Sequence, residues 1–410
     1  MRKLRSVTLL RLFALVAGAR GSRIVGALLI VVAGGVGALS TGCRSASTAM
    51  GSMEAPGSSV EETRPGTADS AIRALQKEAS IPGISVAVAD RGSIVYSKSF
   101  GLADVENDVP AGTSSVYRVA SVAKPITAAA VLQLVEQGKL ALDESIRAYV
   151  TALPQTYEGV TLRDLLRHTS GVRHYRDESE LASTRHCTSL SDALDLFAAD
   201  PLAHPPGEKI TYSSYGYTLL GLAIEKASGL SYVDYVDEHV LEPAGMRSTA
   251  VDDSRIIRHR VRGYAFTGDG RLRNAELLDT SCRIPAGGFL ATAEDLVRFI
   301  SALESGLLIS DSSRREMFRS QLTAEIIART LDGMDVPQGF EPPGMGFGWA
   351  IEPGEGGAVY HGGNQPGFTA MLYHLPDRGL TVAVTANLEG MGSELTDLAR
   401  RLAALDYPAR

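Results

Sequence analysis

The sequence contains no repeat of fixed period, which sets aside solenoids and fibres. Its glycine-rich stretches do not fit phosphate-loop templates, and no cofactor is expected. His168 and His174 stand six residues apart without companion ligands. A zinc site needs three or four placed ligands, so no metal is expected. An excess of basic charge is also missing. The formal net charge is −7, and six basic residues of the first 43 (Arg2, Lys3, Arg5, Arg11, Arg20, Arg23) have no acid among them, so residues 44–410 carry −13. A body that acidic does not suit phosphate backbones, and no nucleic-acid partner is expected. What remains is ordinary globular material, 44% hydrophobic and 21% charged, enough for one sizeable mixed unit despite the 410 residues.

The N-terminus reads as an address. Residues 24–42 (IVGALLIVVAGGVGALSTG) carry no charge and follow Arg20 and Arg23. A positive flank, an apolar run and then small residues form the layout of an export signal. The run ends at Cys43 in LSTGC, which resembles a bacterial lipobox, with Leu39 one place further from the cysteine than usual. Lipidation of Cys43, an uncleaved anchor of about 20 residues and an ordinary cleaved signal all remain open. Each places the body outside the cytoplasm, tied to or released from a membrane. Residues 44–67, rich in Ser, Gly, Thr and Pro, read as a flexible tether. An exported location also permits a Cys187–Cys282 disulfide, which spacing alone leaves undecided.

The body, 68–410, has strand patterns at both ends and helical patterns between. Helices are expected over 68–80, 122–137, 162–167, 191–199, 217–227, 232–240, 293–303 and 395–404. Strands are expected over 84–88, 93–99, 346–351, 358–361, 369–375 and 381–385, the first two joined by a turn at Asp90-Arg91-Gly92. This is an α+β pattern: one antiparallel sheet built from both ends of the chain, flanked by helices, with an inserted mainly helical region. A cleft between sheet and insertion is the natural ligand site.

The strongest chemical signal is Ser121-Val122-Ala123-Lys124. On a helix, residues three apart share a face, which brings the Lys124 amine beside the Ser121 hydroxyl. Burial favours the neutral amine, and a neutral amine beside a serine makes a nucleophile pair. Alone, the motif also fits a capped helix with a surface lysine. Three further blocks follow in order: Leu165-Leu166-Arg167-His168-Thr169-Ser170-Gly171, then Pro206-Gly207-Glu208-Lys209-Ile210-Thr211-Tyr212-Ser213-Ser214, then His361-Gly362-Gly363-Asn364-Gln365-Pro366-Gly367. Together they resemble the serine β-lactamase and penicillin-binding-protein family from about residue 68 to the C-terminus. Ala286-Gly287-Gly288-Phe289-Leu290 resembles a further block of that family. HTSGVRHY (168–175) and TYSSYGYTLLG (211–221) are most similar to the branch of mitochondrial serine β-lactamase-like proteins and their bacterial relatives.

The resemblance implies a β-lactamase/transpeptidase-like fold and a serine hydrolase. It implies Ser121 as nucleophile, Lys124 as base, Tyr212 as proton relay with its pKa lowered by nearby cations, and His361 in the place the family often gives to lysine. It further implies that Gly362 and Gly363 let substrate approach, and that the Asn364 and Ser121 backbone N–H groups form the oxyanion hole. Two departures stand out. Ser214 occupies the asparagine position of the family's Tyr-x-Asn, where it reaches less far. No Glu-x-x-Leu-Asn block of the class A kind is found, so the pattern is nearer to class C enzymes, esterases and D-peptidases. The substrate is expected to be a peptide, a D-amino-acid peptide, an ester or a β-lactam; a cell-wall D-Ala-D-Ala carboxypeptidase and an acylatable sensor or scaffold are the alternatives. If Cys43 is the lipidation site, cells fed a labelled fatty acid should incorporate it into the wild-type chain and not into Cys43→Ser; equal labelling of both would exclude the lipobox.

Overall fold

The computed structural model describes residues 67–334, 341–354 and 356–407. The address with Cys43, and the tether up to residue 66, lie outside the described residues. The expected α+β architecture is the one observed. Thr67 caps the first helix, Ala68–Glu78, by accepting from the Ser70 N–H. The chain then forms β1 (Gly83–Asp90) and β2 (Ser93–Asp104). Arg91 (φ 46°) and Gly92 (φ 82°) both take the left-handed conformation that tight hairpins require. Short strands follow: β3 (Val109–Pro110), β4 (Tyr117–Arg118), β5 (Ala250–Val251), β6 (Tyr264–Phe266), β7 (Leu272–Asn274) and β8 (Phe289–Ala291). The last five are β9 (Gly344–Met345), β10 (Ala350–Ile351), β11 (Val359–Gln365), β12 (Phe368–Leu375) and β13 (Leu380–Ala386).

The main sheet is eight-stranded and antiparallel, in the order β3-β2-β1-β13-β12-β11-β10-β9. Its centre is the seam between the two ends of the chain, with Ile84 opposite Ala386 and Asp90 opposite Leu380. Alternate side chains of a strand face opposite ways, and here they divide by size. Ile84, Val86, Val88, Met371, Tyr373, Val382 and Val384 pack with the terminal helices Ala68–Glu78 and Gly392–Ala403. Ala87, Ala89, Ala370, Leu372 and Ala383 face the larger core of the helical region. Three of the four central alanines thus lie where the helix Ala293–Glu304 packs on β1 and β13. The insertion is built around Ala123–Glu136, of which eleven residues are buried. Its alanines admit close packing by the helix Ser214–Ser228.

Five expectations are corrected. Residues 346–351 are not one strand: β9 and β10 form a hairpin that turns at Gly348 (φ 77°), which an L side chain rarely adopts. The strand expected to stop at His361 continues to Gln365, carrying the whole His-Gly-Gly-Asn-Gln segment inside β11. Its glycines are not a terminus, and Gly363 marks where the strand meets the backbone of Val119 and Ser121. Residues 191–199 form a 3-10 turn, Leu190–Leu196, and 232–240 holds an α-helix only over Tyr232–Val236 before a wider turn. The helix expected from 217 starts at Ser214, capped by Ser213.

Cys187 and Cys282 form a disulfide with Cα atoms 5.1 Å apart, closing a loop of 95 residues. It ties the loop before Leu190–Leu196 to the segment that leads into Ala286. Cross-links of this span constrain the unfolded chain, typically by about 2–4 kcal/mol. The double variant Cys187→Ser/Cys282→Ser should therefore unfold at clearly lower urea than the oxidised wild type. Equal midpoints would mean that the bond constrains nothing.

Candidate active site

Ser121 lies in the 3-10 turn Ala120–Val122, which runs directly into the helix Ala123–Glu136. The residue before it, Ala120, has φ 48°, a left-handed backbone that is uncommon without glycine. Such strain costs about 1–3 kcal/mol and persists only where neighbours enforce it. Here they do. The Val119 N–H donates to the Phe289 carbonyl at 3.0 Å. On the other side β11 lies so close that a Cβ on Gly363 would sit 2.1 Å from the Val119 carbonyl oxygen and 3.1 Å from the Ser121 nitrogen. Gln365 Nε2 donates to the Gly287 carbonyl at 2.7 Å, clamping β11 to the segment below.

Lys124 is completely buried. Its Nζ lies 2.9 Å from Ser121 Oγ, 3.2 Å from Ser214 Oγ and 2.9 Å from the Ala286 carbonyl oxygen. None of these partners is an anion. Burial therefore drives its pKa well below the ordinary lysine value of 10.5, which favours the neutral amine. The Tyr212 and Tyr217 rings stand 4.8 and 5.6 Å from Nζ. Their faces suit the ammonium that forms when the amine takes a proton.

The two blocks singled out around 168–175 and 211–214 are docked on one another. Thr211 N–H donates to the His168 carbonyl at 2.8 Å, and Gly207 N–H to the Thr169 carbonyl at 2.8 Å. Ser213 N–H donates to His168 Nδ1 and Ser214 N–H to His174 Nδ1, both at 3.2 Å. Ser213 Oγ closes the set on the Arg173 carbonyl at 2.8 Å. Both histidines thus serve as acceptors for the backbone on either side of the helix start. A ring nitrogen that accepts is unprotonated, so each proton sits on Nε2. Burial pushes both down, His174 to about 3.

Tyr212, held between these acceptors, lines the cavity beside Ser121, with its ring tilted against that of His168 at 4.4 Å. The expectation of a lowered pKa is corrected: burial raises it, so Tyr212 is a phenol that can give a proton. His361 Nδ1 donates to the Gly362 carbonyl at 2.7 Å. Its Nε2 is therefore the unprotonated nitrogen, and burial pushes its pKa down to about 3. The Asn364 side chain turns away from Ser121; its Oδ1 accepts from the Gly390 N–H at 2.7 Å and from Thr369 Oγ1 at 3.3 Å.

Ser121, Tyr212, Ser214, His361, Gly362, Gly363 and Asn364 all line one cavity of about 200 Å³ between β11 and the helical insertion, with Lys124 beneath it. The residues named in advance thus come together. His168 and His174 belong to the family-like segment 168–175 but carried no site role in the sequence; their place in a turn block that precedes the tyrosine block was the signal that they serve it. Gln365 and Ala286 stand in family-like blocks, but nothing in the sequence pointed to the roles of the Gln365 amide or the Ala286 carbonyl.

Residues 68–406 match the family described as Beta-lactamase. The chain belongs to it. It is a serine hydrolase with the β-lactamase/transpeptidase fold. Among curated relatives of this β-lactamase-family chain, Penicillin-binding protein 4* of Bacillus subtilis (strain 168) is 31% identical over 322 residues, 74% of this chain and 68% of that protein. The mitochondrial serine beta-lactamase-like protein LACTB of Homo sapiens is 31% identical over 301 residues, 57% of this chain and 55% of that protein. The chain therefore spans about half of the mitochondrial relative. Among solved structures, the octameric penicillin-binding protein homologue from Pyrococcus abyssi is similar with a TM-score of 0.70 at 26% identity, covering 82% of this chain and 76% of that one.

The buried amine gives a signed prediction. Between its depressed pKa and 10.5, the unfolded chain binds a proton at Lys124 that the folded one does not. Folding stability from this residue therefore rises with pH across that window. Lys124→Met should cut acylation of Ser121 by a factor on the order of 10³. Its stability relative to wild type should be greatest near pH 7 and fall toward pH 10, read by urea unfolding at each pH. A constant difference would show that the lysine is buried charged.

Proposed function

We propose that the protein hydrolyses amide or ester bonds through a Ser121 acyl-enzyme. The observation that carries this reading is the Lys124 amine, wholly buried among uncharged partners and 2.9 Å from Ser121 Oγ. A neutral amine has two N–H bonds and one lone pair. With the N–H bonds given to the Ala286 carbonyl and Ser214 Oγ, the lone pair is left for the Ser121 hydroxyl. Ser121 Oγ attacks the substrate carbonyl while Lys124 takes its proton. The Tyr212 phenol protonates the departing nitrogen or oxygen and is reprotonated from Lys124. The bond to the leaving group breaks and the Ser121 ester remains. Water then adds to that ester, its proton returns through the same groups, and an acid leaves.

The negative oxygen that forms at each stage needs donors. The Ser121 N–H, against which Gly363 is packed, and the Asn364 N–H on β11 serve this role in our reading. The strained Ala120 supports it, because it fixes the Ser121 backbone before substrate arrives. The similarity to a penicillin-binding protein of Bacillus subtilis supports β-lactams and D-peptides as candidates beside simple esters. The address at residues 1–43 supports placing this activity at a membrane, on its non-cytoplasmic side.

The test is covalent. The full-length chain, purified in mild detergent, should be labelled by a fluorescent fluorophosphonate at Ser121, located by mass spectrometry, and Ser121→Ala should not be. Parallel reactions with nitrocefin, p-nitrophenyl acetate and a peptide library then rank the classes. A folded wild type that takes no label and turns nothing over overturns the reading. Acylation without release of product would make it an acylated sensor instead.

A further inference from the structure

The family pattern places an asparagine where this chain has Ser214, a shorter side chain that accepts from Lys124. Its hydroxyl is 3.2 Å from Lys124 Nζ, and the residue is buried at the start of the helix Ser214–Ser228. A substrate entering the cavity still needs a donor to orient it, because the chemistry demands that its carbonyl be held within reach of Ser121. His174 supplies one. It lines the cavity, and the Ser214 N–H on its Nδ1 fixes the proton at Nε2. That Nε2 has no hydrogen-bond partner among the described residues, and it is not among the buried unpartnered atoms, so it is open to the cavity. The ring cannot swing to suit itself. It stacks on Tyr175 at 4.3 Å and meets Tyr212 edge-on at 5.3 Å.

The surrounding wall is uncharged. Among the described residues that line the cavity, none is Asp, Glu, Lys or Arg. The charges behind it are occupied. Arg173 pairs with Glu180 and Asp200. Arg283 donates to the carbonyls of Leu181 and Glu180 and lies 4.6 Å over the Tyr175 ring. A substrate carboxylate or ammonium next to the scissile bond would lose water and gain no counter-charge, which is costly.

We propose that His174 is a substrate-binding residue whose Nε2–H donates to a carbonyl oxygen of the acyl group, and that the site selects uncharged acyl donors carrying such a carbonyl, such as N-acylated amino-acid esters and amides. This rests on the Ser121 acyl-enzyme. Selection then lies in the acyl half of the substrate: a blocked amino-acid or peptide unit is accepted, and a free α-amine or a carboxylate at the same place is rejected.

The experiment uses four phenyl esters with one leaving group: N-acetylglycyl, pentanoyl (the same chain length without the amide), glycyl with its free amine, and succinyl with its free carboxylate. Each kcat/KM is divided by that ester's own hydroxide rate. The wild-type full-length chain should prefer N-acetylglycyl over pentanoyl by roughly tenfold, the worth of one buried hydrogen bond, and both charged esters should be poorer than pentanoyl. His174→Phe should abolish the preference of N-acetylglycyl over pentanoyl, and His174→Asn, which keeps an N–H donor, should restore part of it. Equal wild-type rates for the first two esters, a preference for either charged ester, or an undiminished preference in His174→Phe would overturn the assignment. The wild-type comparison stands even if a variant does not fold. Fluorophosphonate labelling of the wild type is run alongside: an unlabelled wild type sinks the acyl-enzyme itself, whereas a labelled wild type without the preference sinks only the role of His174.

Discussion

Everything at this site depends on keeping one amine dry. Lys124 sits beneath Ser121 and, among the described residues, has a carbonyl and two hydroxyls as its hydrogen-bond partners and no carboxylate to compensate it. A buried charge without an opposite charge is expensive, so the protein holds the residue in its neutral form and accepts the cost of doing so. The histidines around it follow the same rule. His168, His174 and His361 are all pushed down by burial, and none adds a positive charge to the site. The site is thus an uncharged chamber in which one proton can move from serine to lysine to phenol.

That chamber is assembled from parts far apart in sequence. The turn with Ser121 comes from the start of the insertion, the Tyr212 segment from its middle, the Ala286 carbonyl from its end, and β11 from the C-terminal half of the sheet. Backbone hydrogen bonds and glycine contacts set the distances. Gly363 removes the side chain that would hold β11 away from Val119, and His168 replaces a backbone carbonyl as the acceptor for Ser213. The acceptors on the 168–174 segment are why a turn block and a tyrosine block, 37 residues apart between His174 and Thr211, behave as one unit.

Much of this was legible in the sequence, for physical reasons. The Ser121–Lys124 spacing is a helix repeat, and the long apolar strands and helices keep a clear period, so the architecture and the catalytic pair could be read directly. What escaped depends on tertiary context. Gly362 and Gly363 look like a strand end, although β11 runs through them; at Gly363 the cause is a contact with the Val119 backbone, which leaves no mark except a missing side chain. Gly348 breaks what reads as one strand at 346–351 by sitting on the backbone of Lys124 and Pro125, a neighbour more than two hundred residues away. The direction of the Tyr212 pKa was misread because nearby cations were assumed, whereas the lysine is neutral and desolvation decides. The role of His174 needed coordinates, since it turns on which ring nitrogen the Ser214 N–H occupies.

The seam between β1 and β13 has a consequence for how such a chain is made. Residues 83–90 find their central partner only at 380–386, and β11 arrives only shortly before it. A nascent polypeptide leaving the ribosome therefore carries its nucleophile, its amine and its whole insertion long before the sheet can close around them. Native contacts of such separation form late. Until the last strands are synthesised the chain stays unable to lock into its final shape, and its serine waits without the strand that completes the cavity around it.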